Sequence, residues 1–213
     1  MTEQQNGTKE LRFKVVAVGN AGSGKTSIIQ RYVNNNFSKN YKATVGVDFA
    51  LKVVDLEQTR VYLQLWDIAA QERYGSMTRI YYKDAVGAFV VFDMTRLNTF
   101  EAVERWKKDL ESKLNSNDNI PVILIGNKID LIKEGGVRPC ITEEEIQHYA
   151  STHGYSGWFV TSAKNNENIE EALGFLVENI VKGATLPDET RGGVRLNKSA
   201  VTQEPSSRRC CSN

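Results

Sequence analysis

The segment GNAGSGKT, residues 19–26, has residue types and a spacing that can bind phosphate, because it matches G-x-x-x-x-G-K-[ST]. Its glycines let backbone N–H groups wrap around a phosphate, Lys25 can neutralise phosphate charge, and the Thr26 hydroxyl can bind Mg²⁺. The alternative is a glycine-rich turn without a ligand, but the segment lies between a predicted strand and a predicted helix, where the motif requires it. We therefore expect phosphate contacts from Gly19, Asn20, Ala21, Gly22, Ser23, Gly24, Lys25, Thr26 and Ser27.

NKID, residues 127–130, follows another predicted strand and indicates which base lies on those phosphates. The carboxylate of Asp130 can accept hydrogen bonds from both N1–H and the exocyclic amine of guanine, a donor pair that adenine lacks. Lys128 can lay its aliphatic stem along one face of the base. TSAK, residues 161–164, ends the next strand at the same sheet edge, where the N–H of Ala163 can meet the guanine O6. Two polar loops without a ligand are the alternative; the base site that we predict comprises Asn127, Lys128, Asp130, Ser162, Ala163 and Lys164.

The remaining polar residues include no candidate for a covalent nucleophile, so we expect water to be the nucleophile. His148 and His153 lie on or after a predicted helix remote from the phosphate loop, and we expect both to face solvent. No other pattern suggests covalent catalysis. We therefore expect in-line attack of water on a γ-phosphate, with Mg²⁺, Lys25 and backbone N–H groups absorbing the developing charge.

The elements that must position these residues alternate along the chain, which favours an α/β fold. Apolar runs predict strands within 11–20, 45–56, 60–68, 86–93, 121–127 and 157–163. Helical spacing predicts helices over 24–35, 99–114, 142–151 and 168–182. Only the second and third strands are close enough in sequence to pair as an antiparallel hairpin. We expect a six-stranded, mainly parallel sheet with one antiparallel strand and helices on both faces.

Composition restricts the class of protein. Lysine and arginine total 27 and aspartate and glutamate total 26, so no net field favours a nucleic acid polymer as partner. No apolar run reaches the roughly 20 residues that span a bilayer, the first ten residues lack a signal-peptide core, and the cysteines form neither a disulfide framework nor a zinc spacing. We expect a cytosolic monomer with a flexible arm at 1–10, a globular domain at 11–183 and a disordered tail at 184–213.

The chain resembles the Rab family of small GTPases, in the Ras superfamily, over residues 11–182 and again at the terminal cysteines. The resemblance is carried by TVGVDF at 44–49, by LQLWDIAAQERYGSMTRIYY at 63–82 and by the ending SSRRCCSN. It implies a slowly hydrolysing molecular switch that binds GTP or GDP with Mg²⁺ and regulates vesicle traffic. Two mobile switch segments would give the signal. Contacts with the γ-phosphate would hold them in an ordered conformation, and they would become mobile after hydrolysis.

The same resemblance implies roles for residues outside the two motifs. Phe37 should stack on the guanine edge, and Tyr41 should belong to the nucleotide site. Thr44 should bind Mg²⁺ together with Thr26 and close over the γ-phosphate. Asp67 should hold the metal through water, and Gln71 should orient the attacking water. Three aromatic residues match the triad that Rabs present to effectors, although each could instead be part of the core: Phe49, Trp66 and Tyr81.

The resemblance also implies partners and a location. A Rab works with an exchange factor, an activating protein, effectors, a GDP-dissociation inhibitor and an escort protein. Cys210 and Cys211 resemble the Rab ending on which both thiols carry geranylgeranyl groups. Within the family the sequence is similar to the branch that serves lysosome-related organelles and endolysosomal traffic. We therefore expect the cytoplasmic face of intracellular membranes, with cycling through the cytosol.

Ala70 departs from the family pattern, in which this position is normally glycine and its N–H donates to the γ-phosphate. Alanine keeps the N–H but loses easy access to positive φ and adds a Cβ beside the phosphate. If both nucleotide states have negative φ here, the change is silent. Three functions stay open: a hydrolysing traffic switch, a GTP-bound effector platform whose hydrolysis Ala70 impairs, and an unrelated P-loop ATPase or kinase, against which NKID and TSAK argue.

Overall fold

Six strands form one sheet in the computed structural model, which describes residues 9–40, 42–56, 59–74, 78–114 and 119–185. The order across the sheet is β2-β3-β1-β4-β5-β6; β2 is antiparallel to β3 and the other pairs are parallel. This confirms the predicted fold class. The strands are β1 Lys9–Gly19, β2 Val47–Leu56, β3 Thr59–Ile68, β4 Gly87–Asp93, β5 Val122–Asn127 and β6 Gly157–Thr161.

Helices cover both faces of this sheet. They are α1 Lys25–Asn34, α2 Thr78–Tyr82, α3 Leu97–Phe100, α4 Val103–Lys113, α5 Ile129–Lys133, α6 Glu143–Thr152 and α7 Ile169–Thr185, with a 3₁₀ helix at Ala70–Tyr74. The single helix predicted over 99–114 is wrong, because the structure has α3 and α4 there instead. The buried Thr99 hydroxyl accepts from the N–H of Asp93 at 2.9 Å, which fastens the short α3 to the end of β4.

Two apolar cores lie on opposite faces of the sheet, and alternate residues of β1 contribute to each. Val16 and Val18 pack with Trp106 and the helices α4 and α6, whereas Val15 and Ala17 pack on the side of α1 and α7. Strands β4 and β5 are buried along their whole length, as expected for parallel strands covered on both faces. The carboxyl ends of β1, β4, β5 and β6 are thereby fixed side by side.

Some boundaries and exposures differ from the prediction. Strand β1 begins at Lys9, inside the segment expected to be a flexible arm, because Lys9 pairs with Thr59 of β3. His148 faces solvent as expected, but His153 is half-buried. Its ring stacks on Tyr149 with centroids 3.9 Å apart, which explains the burial. Within the described residues, no helix is long and apolar enough to cross a membrane.

Candidate functional site

The loop between β1 and α1 folds tightly against the ends of two other strands. Gly19 has a φ of 143°, and a Cβ there would lie 2.1 Å from the carbonyl oxygen of Val91. Gly24 has a φ of 102°, and its Cβ would lie 2.1 Å from Nδ2 of Asn127. Both values lie in the left-handed region that favours glycine, and neither position has room for a side chain. Gly19 and Gly24 are therefore required for the loop to reach its place beside β4 and β5.

Lys25 is buried at the start of α1 and folds back over the loop. Its Nζ donates to the carbonyl oxygens of Gly19 at 3.0 Å and Asn20 at 3.3 Å. Burial lowers the pKa of Lys25, an effect that the nearby Asp67 carboxylate partly offsets. A phosphate in the loop would add negative charge and favour the protonated lysine.

Three oxygen-bearing side chains converge beside Lys25: Thr26, Thr44 and Asp67. The Thr26 and Thr44 hydroxyls are 2.7 Å apart. Both donate to Oδ2 of Asp67, the Thr44 hydroxyl at 3.2 Å. Burial raises the pKa of Asp67, although the hydrogen bonds from the two threonines and the charge of Lys25 act in the opposite direction.

This donor set fits Mg²⁺. Oδ1 of Asp67 is buried and has no hydrogen-bond partner among the described residues, so a carboxylate oxygen is free to face a ligand. Mg²⁺ is a hard cation that binds few protein oxygens and keeps waters and phosphate oxygens around it. In the described part of the chain, no group of three or more His, Cys, Asp or Glu residues could hold a metal in another way.

Asn127, at the end of β5, links the phosphate loop to the predicted base loops. Its Nδ2 donates to the carbonyl oxygen of Ser23 at 3.0 Å. Its Oδ1 accepts from the Thr161 hydroxyl and from the N–H of Ala163, both at 3.2 Å. The N–H that we expected to meet the guanine O6 is thus shared with Asn127, so O6 would have to share or displace that acceptor.

Asp130 is 4% exposed and its carboxylate is held in one orientation. Oδ1 accepts from the Ser162 hydroxyl at 2.7 Å, and Oδ2 lies 3.8 Å from Nζ of Lys164. The N–H of Asn165 donates in turn to the Ser162 hydroxyl at 3.0 Å. Ser162 therefore acts on the predicted base site through Asp130.

One cavity of about 770 Å³ joins the phosphate loop, the metal-binding oxygens and the base loops. The predicted site residues that line it are Ala21, Gly22, Gly24, Lys25, Thr26, Ser27, Phe37, Thr44, Ala70, Gln71, Asn127, Lys128, Asp130, Ala163 and Lys164. Asp67 and Ser162 lie behind this lining and contact it through Thr26 and Asp130. Tyr41, Cys210 and Cys211 fall outside the described residues.

Ala70 begins the 3₁₀ helix and lines the cavity next to Gln71. It is not among the residues with positive φ, so its methyl group causes no left-handed strain in this conformation. The N–H of the preceding Ala69 donates to the carbonyl oxygen of Gly46 at 3.0 Å, which ties this segment to the one that carries Thr44. Gln71 is exposed at the edge of the cavity.

The three aromatic residues predicted to contact effectors differ in exposure. Phe49 is 63% exposed, so it is not part of the core. It pairs across β2 and β3 with Trp66, with ring centroids 6.3 Å apart. Trp66 and Tyr81 are half-buried against the core on the side of α4, and Nζ of Lys14 lies 3.9 Å from the Trp66 ring centroid. The sheet edge and α2 thus display one exposed and two partly buried aromatic rings.

Sequence reasoning missed several residues that hold the site together. Arg31 of α1 donates to the carbonyl oxygens of Ala163 at 2.8 Å and Lys164 at 2.9 Å. Trp106 donates to Oδ1 of Asn20 at 2.9 Å, and Arg96 donates to the carbonyl oxygen of Ala21 at 3.1 Å. No motif marks these residues, because each reaches the loops from a distant part of the chain. The remaining residues that line the cavity were not predicted: Gln30, Ser38, Lys39, Asn40, Lys42, Ala43, Ala69 and Leu131.

Comparisons with known proteins agree with this geometry. Residues 14–182 match the model of the Ras family. Among similar curated proteins, Rab-32 of Sus scrofa is 50% identical over 209 residues, covering 96% of this chain and 90% of that protein. Rab-32A of Dictyostelium discoideum is 53% identical over 180 residues, with 83% and 81% covered. Human Rab-7L1 is 44% identical over 182 residues, with 84% and 87% covered.

Proposed function

The chain belongs to the Rab family of Ras-type small GTPases, which bind GTP and regulate membrane traffic, and from that premise we propose a specific mode of action for it. It is a Mg²⁺-dependent switch that hydrolyses GTP slowly by itself. Geranylgeranyl groups on Cys210 and Cys211 hold it on the cytoplasmic face of endolysosomal or lysosome-related membranes. The similarity to proteins named Rab-32 and Rab-7L1 supports that branch.

The assignment of a guanine nucleotide rests on one observation: the carboxylate of Asp130 is held in a fixed orientation. It lies in the same cavity as the phosphate loop, and Ser162 holds one of its oxygens at 2.7 Å. A rigid buried acceptor favours a ligand with two adjacent donors, as guanine has, over adenine. Asn127 fixes the distance between this acceptor and the phosphate loop through its bond to Ser23.

For hydrolysis, the residues of the chain position water and absorb charge. Thr26, Thr44 and Asp67 would hold Mg²⁺, which when bound neutralises charge on the phosphate oxygens. Lys25 and the backbone N–H groups of the loop stabilise the charge that develops on the γ-phosphate. Gln71, at the cavity edge, orients the attacking water.

Rabs act with exchange factors, activating proteins, effectors and GDP-dissociation inhibitors. An activating protein that supplies an arginine would accelerate hydrolysis by roughly 10³ to 10⁵. We propose that effectors bind the surface formed by Phe49, Trp66 and Tyr81, because Phe49 is exposed beside the segment that carries Thr44. An escort protein would present the terminal cysteines for prenylation.

A second candidate function is a GTP-bound effector platform with strongly impaired hydrolysis. The observation that favours it is the position of Ala70, which lines the cavity immediately before Gln71. If the chain is such a platform, it binds GTP normally and only the hydrolytic step is slow. Single-turnover hydrolysis distinguishes the two functions.

The nucleotide assignment is tested by competition and by one substitution. GTP and GDP should displace a bound fluorescent GDP, whereas ATP at the same concentration should not. Asp130→Asn should weaken guanine nucleotides and admit xanthine nucleotides, because the amide can donate to the xanthine 2-oxygen. Equal displacement by ATP and GTP would contradict the proposal and favour an ATPase or kinase.

A further inference from the structure

Asp93, the last residue of β4, lies at the junction between the phosphate loop and the base loop. Its side chain is 2% exposed. Oδ1 accepts from the N–H of Thr95 at 2.9 Å and from its hydroxyl at 2.6 Å. Oδ2 contacts Nζ of Lys128 at 2.7 Å and Nε of Arg96 at 2.9 Å. Four donors therefore occupy the acceptor sites of one buried carboxylate.

The two cations on Asp93 reach different parts of the nucleotide site. Lys128 belongs to the base loop and has a φ of 74°, an uncommon backbone conformation that persists only when neighbouring contacts fix it. Arg96 extends to the phosphate loop, where Nη2 donates to the carbonyl oxygen of Ala21 at 3.1 Å. Burial by itself would raise the pKa of Asp93, but the hydrogen bonds from Lys128 and Thr95 lower it overall, so the carboxylate stays ionised.

The contact of Arg96 with the carbonyl oxygen of Ala21 determines the direction in which the next backbone N–H of the phosphate loop points. In a trans peptide the C=O and the following N–H point in opposite directions. A carbonyl of Ala21 held by Arg96 therefore fixes the direction of the N–H of Gly22. Gly22 lines the cavity with a φ of 70°, and Arg96 lies against it, because a Cβ on Gly22 would be 3.3 Å from Nη2.

We propose that Asp93 and Arg96 are positioning residues that couple the base loop to the phosphate loop and thereby slow the release of bound guanine nucleotide. This inference rests on the proposed nucleotide site. Contact of the base with the base loop stabilises the position of Lys128, which contacts Asp93. Arg96, bound to the same carboxylate, in turn stabilises the conformation of Ala21 and Gly22. Removing the guanidinium leaves the fold and the direct nucleotide contacts in place but removes this connection.

The first test is the release of a fluorescent GDP from the full chain into excess unlabelled GDP. Arg96→Ala should release it about five to ten times faster than the parent, the size expected for loss of a charge-assisted contact. Arg96→Lys should fall between them, because a single ammonium cannot bridge Asp93 and Ala21 as the guanidinium fork does. Arg60→Ala is the matched control, because Arg60 also forms an ion pair with an aspartate, Asp55, at 2.7 Å. The side chain of Arg60 is 47% exposed and that of Arg96 is 41% exposed. We expect Arg60→Ala to release GDP within about twofold of the parent rate.

A second measurement separates positioning from general loosening of the structure. Inosine diphosphate lacks the exocyclic amine that Asp130 would accept, so the parent should release it faster than GDP. If the two loops are coupled, the ratio of the two release rates should be smaller in Arg96→Ala than in the parent, since coupled contacts are not additive. Arg96→Ala should still unfold cooperatively, as Arg60→Ala does, which shows that the faster release does not come from an unfolded or loosened domain.

Several outcomes would overturn the inference. They are release from Arg96→Ala at the parent rate, equal acceleration in Arg60→Ala, or an unchanged ratio between GDP and inosine diphosphate. A parent chain that fails to hold GDP would overturn the proposed function and this inference with it. A parent that holds GDP tightly, with release unaffected by Arg96→Ala, overturns the inference alone.

Discussion

Gly24 lies where the phosphate loop passes close to Asn127 at the start of the base loop. A Cβ there would lie 2.1 Å from Nδ2 of Asn127, and the left-handed φ of 102° adds backbone strain. Gly24→Ala should therefore push the two loops apart and weaken GDP binding by about ten- to a hundredfold, the size expected when one hydrogen bond to a charged phosphate is lost. Fluorescence titration with labelled GDP measures the affinity.

Gly174 of α7 provides the control for this substitution, because nothing lies within 4 Å of a Cβ placed there. Gly174→Ala should leave GDP affinity unchanged and raise the free energy of unfolding by about 0.5–1 kcal/mol through helix propensity. Unaltered GDP affinity in Gly24→Ala would show that the contact between the loops is not needed for binding.

Ala70 decides between the two candidate functions. Its φ is not positive in this conformation, and it lines the cavity next to Gln71, so the prediction rests on the steric effect that its methyl group would have on a bound γ-phosphate and on Gln71. We predict that the parent binds GTP normally but hydrolyses it about ten to a hundred times more slowly than Ala70→Gly. Gln71→Leu should then slow the parent little further, because the positioning of water is already impaired.

Single-turnover hydrolysis of four proteins tests this prediction: the parent, Ala70→Gly, Gln71→Leu and the double variant, with GTP affinities measured alongside. In the Ala70→Gly background, Gln71→Leu should cause a large loss of rate. Equal rates for the parent and Ala70→Gly, with Gln71→Leu much slower than both, would show that the alanine is silent and that the chain is an ordinary hydrolysing Rab.

Among the secondary-structure elements, helix α6 is stabilised at its first turn by a reciprocal pair of hydrogen bonds. The Thr142 hydroxyl accepts from the N–H of Glu145 at 3.3 Å, and the N–H of Thr142 donates to Oε2 of Glu145 at 2.9 Å. Thr142→Ala should lower the free energy of unfolding by about 1 kcal/mol. Because α6 packs on β6 away from the cavity lining, GDP release should not change.

Urea unfolding with saturating GDP and Mg²⁺ measures the effect of this cap. Ser151→Ala is the matched control, since among the described residues its hydroxyl donates only to the carbonyl oxygen of His148 in the last turn of the same helix. We expect a change of less than about 0.5 kcal/mol there. A loss in Thr142→Ala no larger than in Ser151→Ala would mean that the cap does not stabilise the helix.

Local sequence patterns predicted the long elements because each carries its own periodicity. All six strands and the helices α1, α6 and α7 were predicted, whereas α2 and α5 were missed. Short helices of this kind are stabilised by tertiary packing rather than by their own sequence, so no pattern marks them. The division between α3 and α4 has the same cause, because it depends on a contact between Thr99 and Asp93.

In the candidate site, too, some residues could be predicted from local sequence and others could not. Residues inside contiguous motifs could be predicted, since the spacing of a loop fixes which groups face the ligand. Arg31 and Arg96 could not be predicted, because they contact Ala163, Lys164 and Ala21 from helices or loops far away in sequence. The orientation of Asp130 by Ser162 likewise depends on how two strands align at the sheet edge.

At the scale of the whole molecule, the nucleotide site and the proposed anchor lie in different parts of the chain. The described residues that line the cavity all lie between β1 and α7, whereas Cys210 and Cys211 lie near the end of the sequence, beyond the described residues. Nucleotide binding and membrane attachment should therefore be separable by substitution. Either one can be removed while the other is measured.

The last prediction concerns the tail cysteines. One buried lipid chain gives marginal, reversible membrane binding, and two give a stable anchor. In cells, Cys210→Ser or Cys211→Ser alone should shift much of the protein from the membrane pellet to the supernatant, and the double substitution should move nearly all of it. The double variant should still bind GDP with parental affinity, which shows that its domain is folded. Ser212→Ala, which leaves both thiols in place, serves as the control and should pellet like the parent. A double variant that stays in the membrane pellet would show that a contact other than two geranylgeranyl groups anchors the chain.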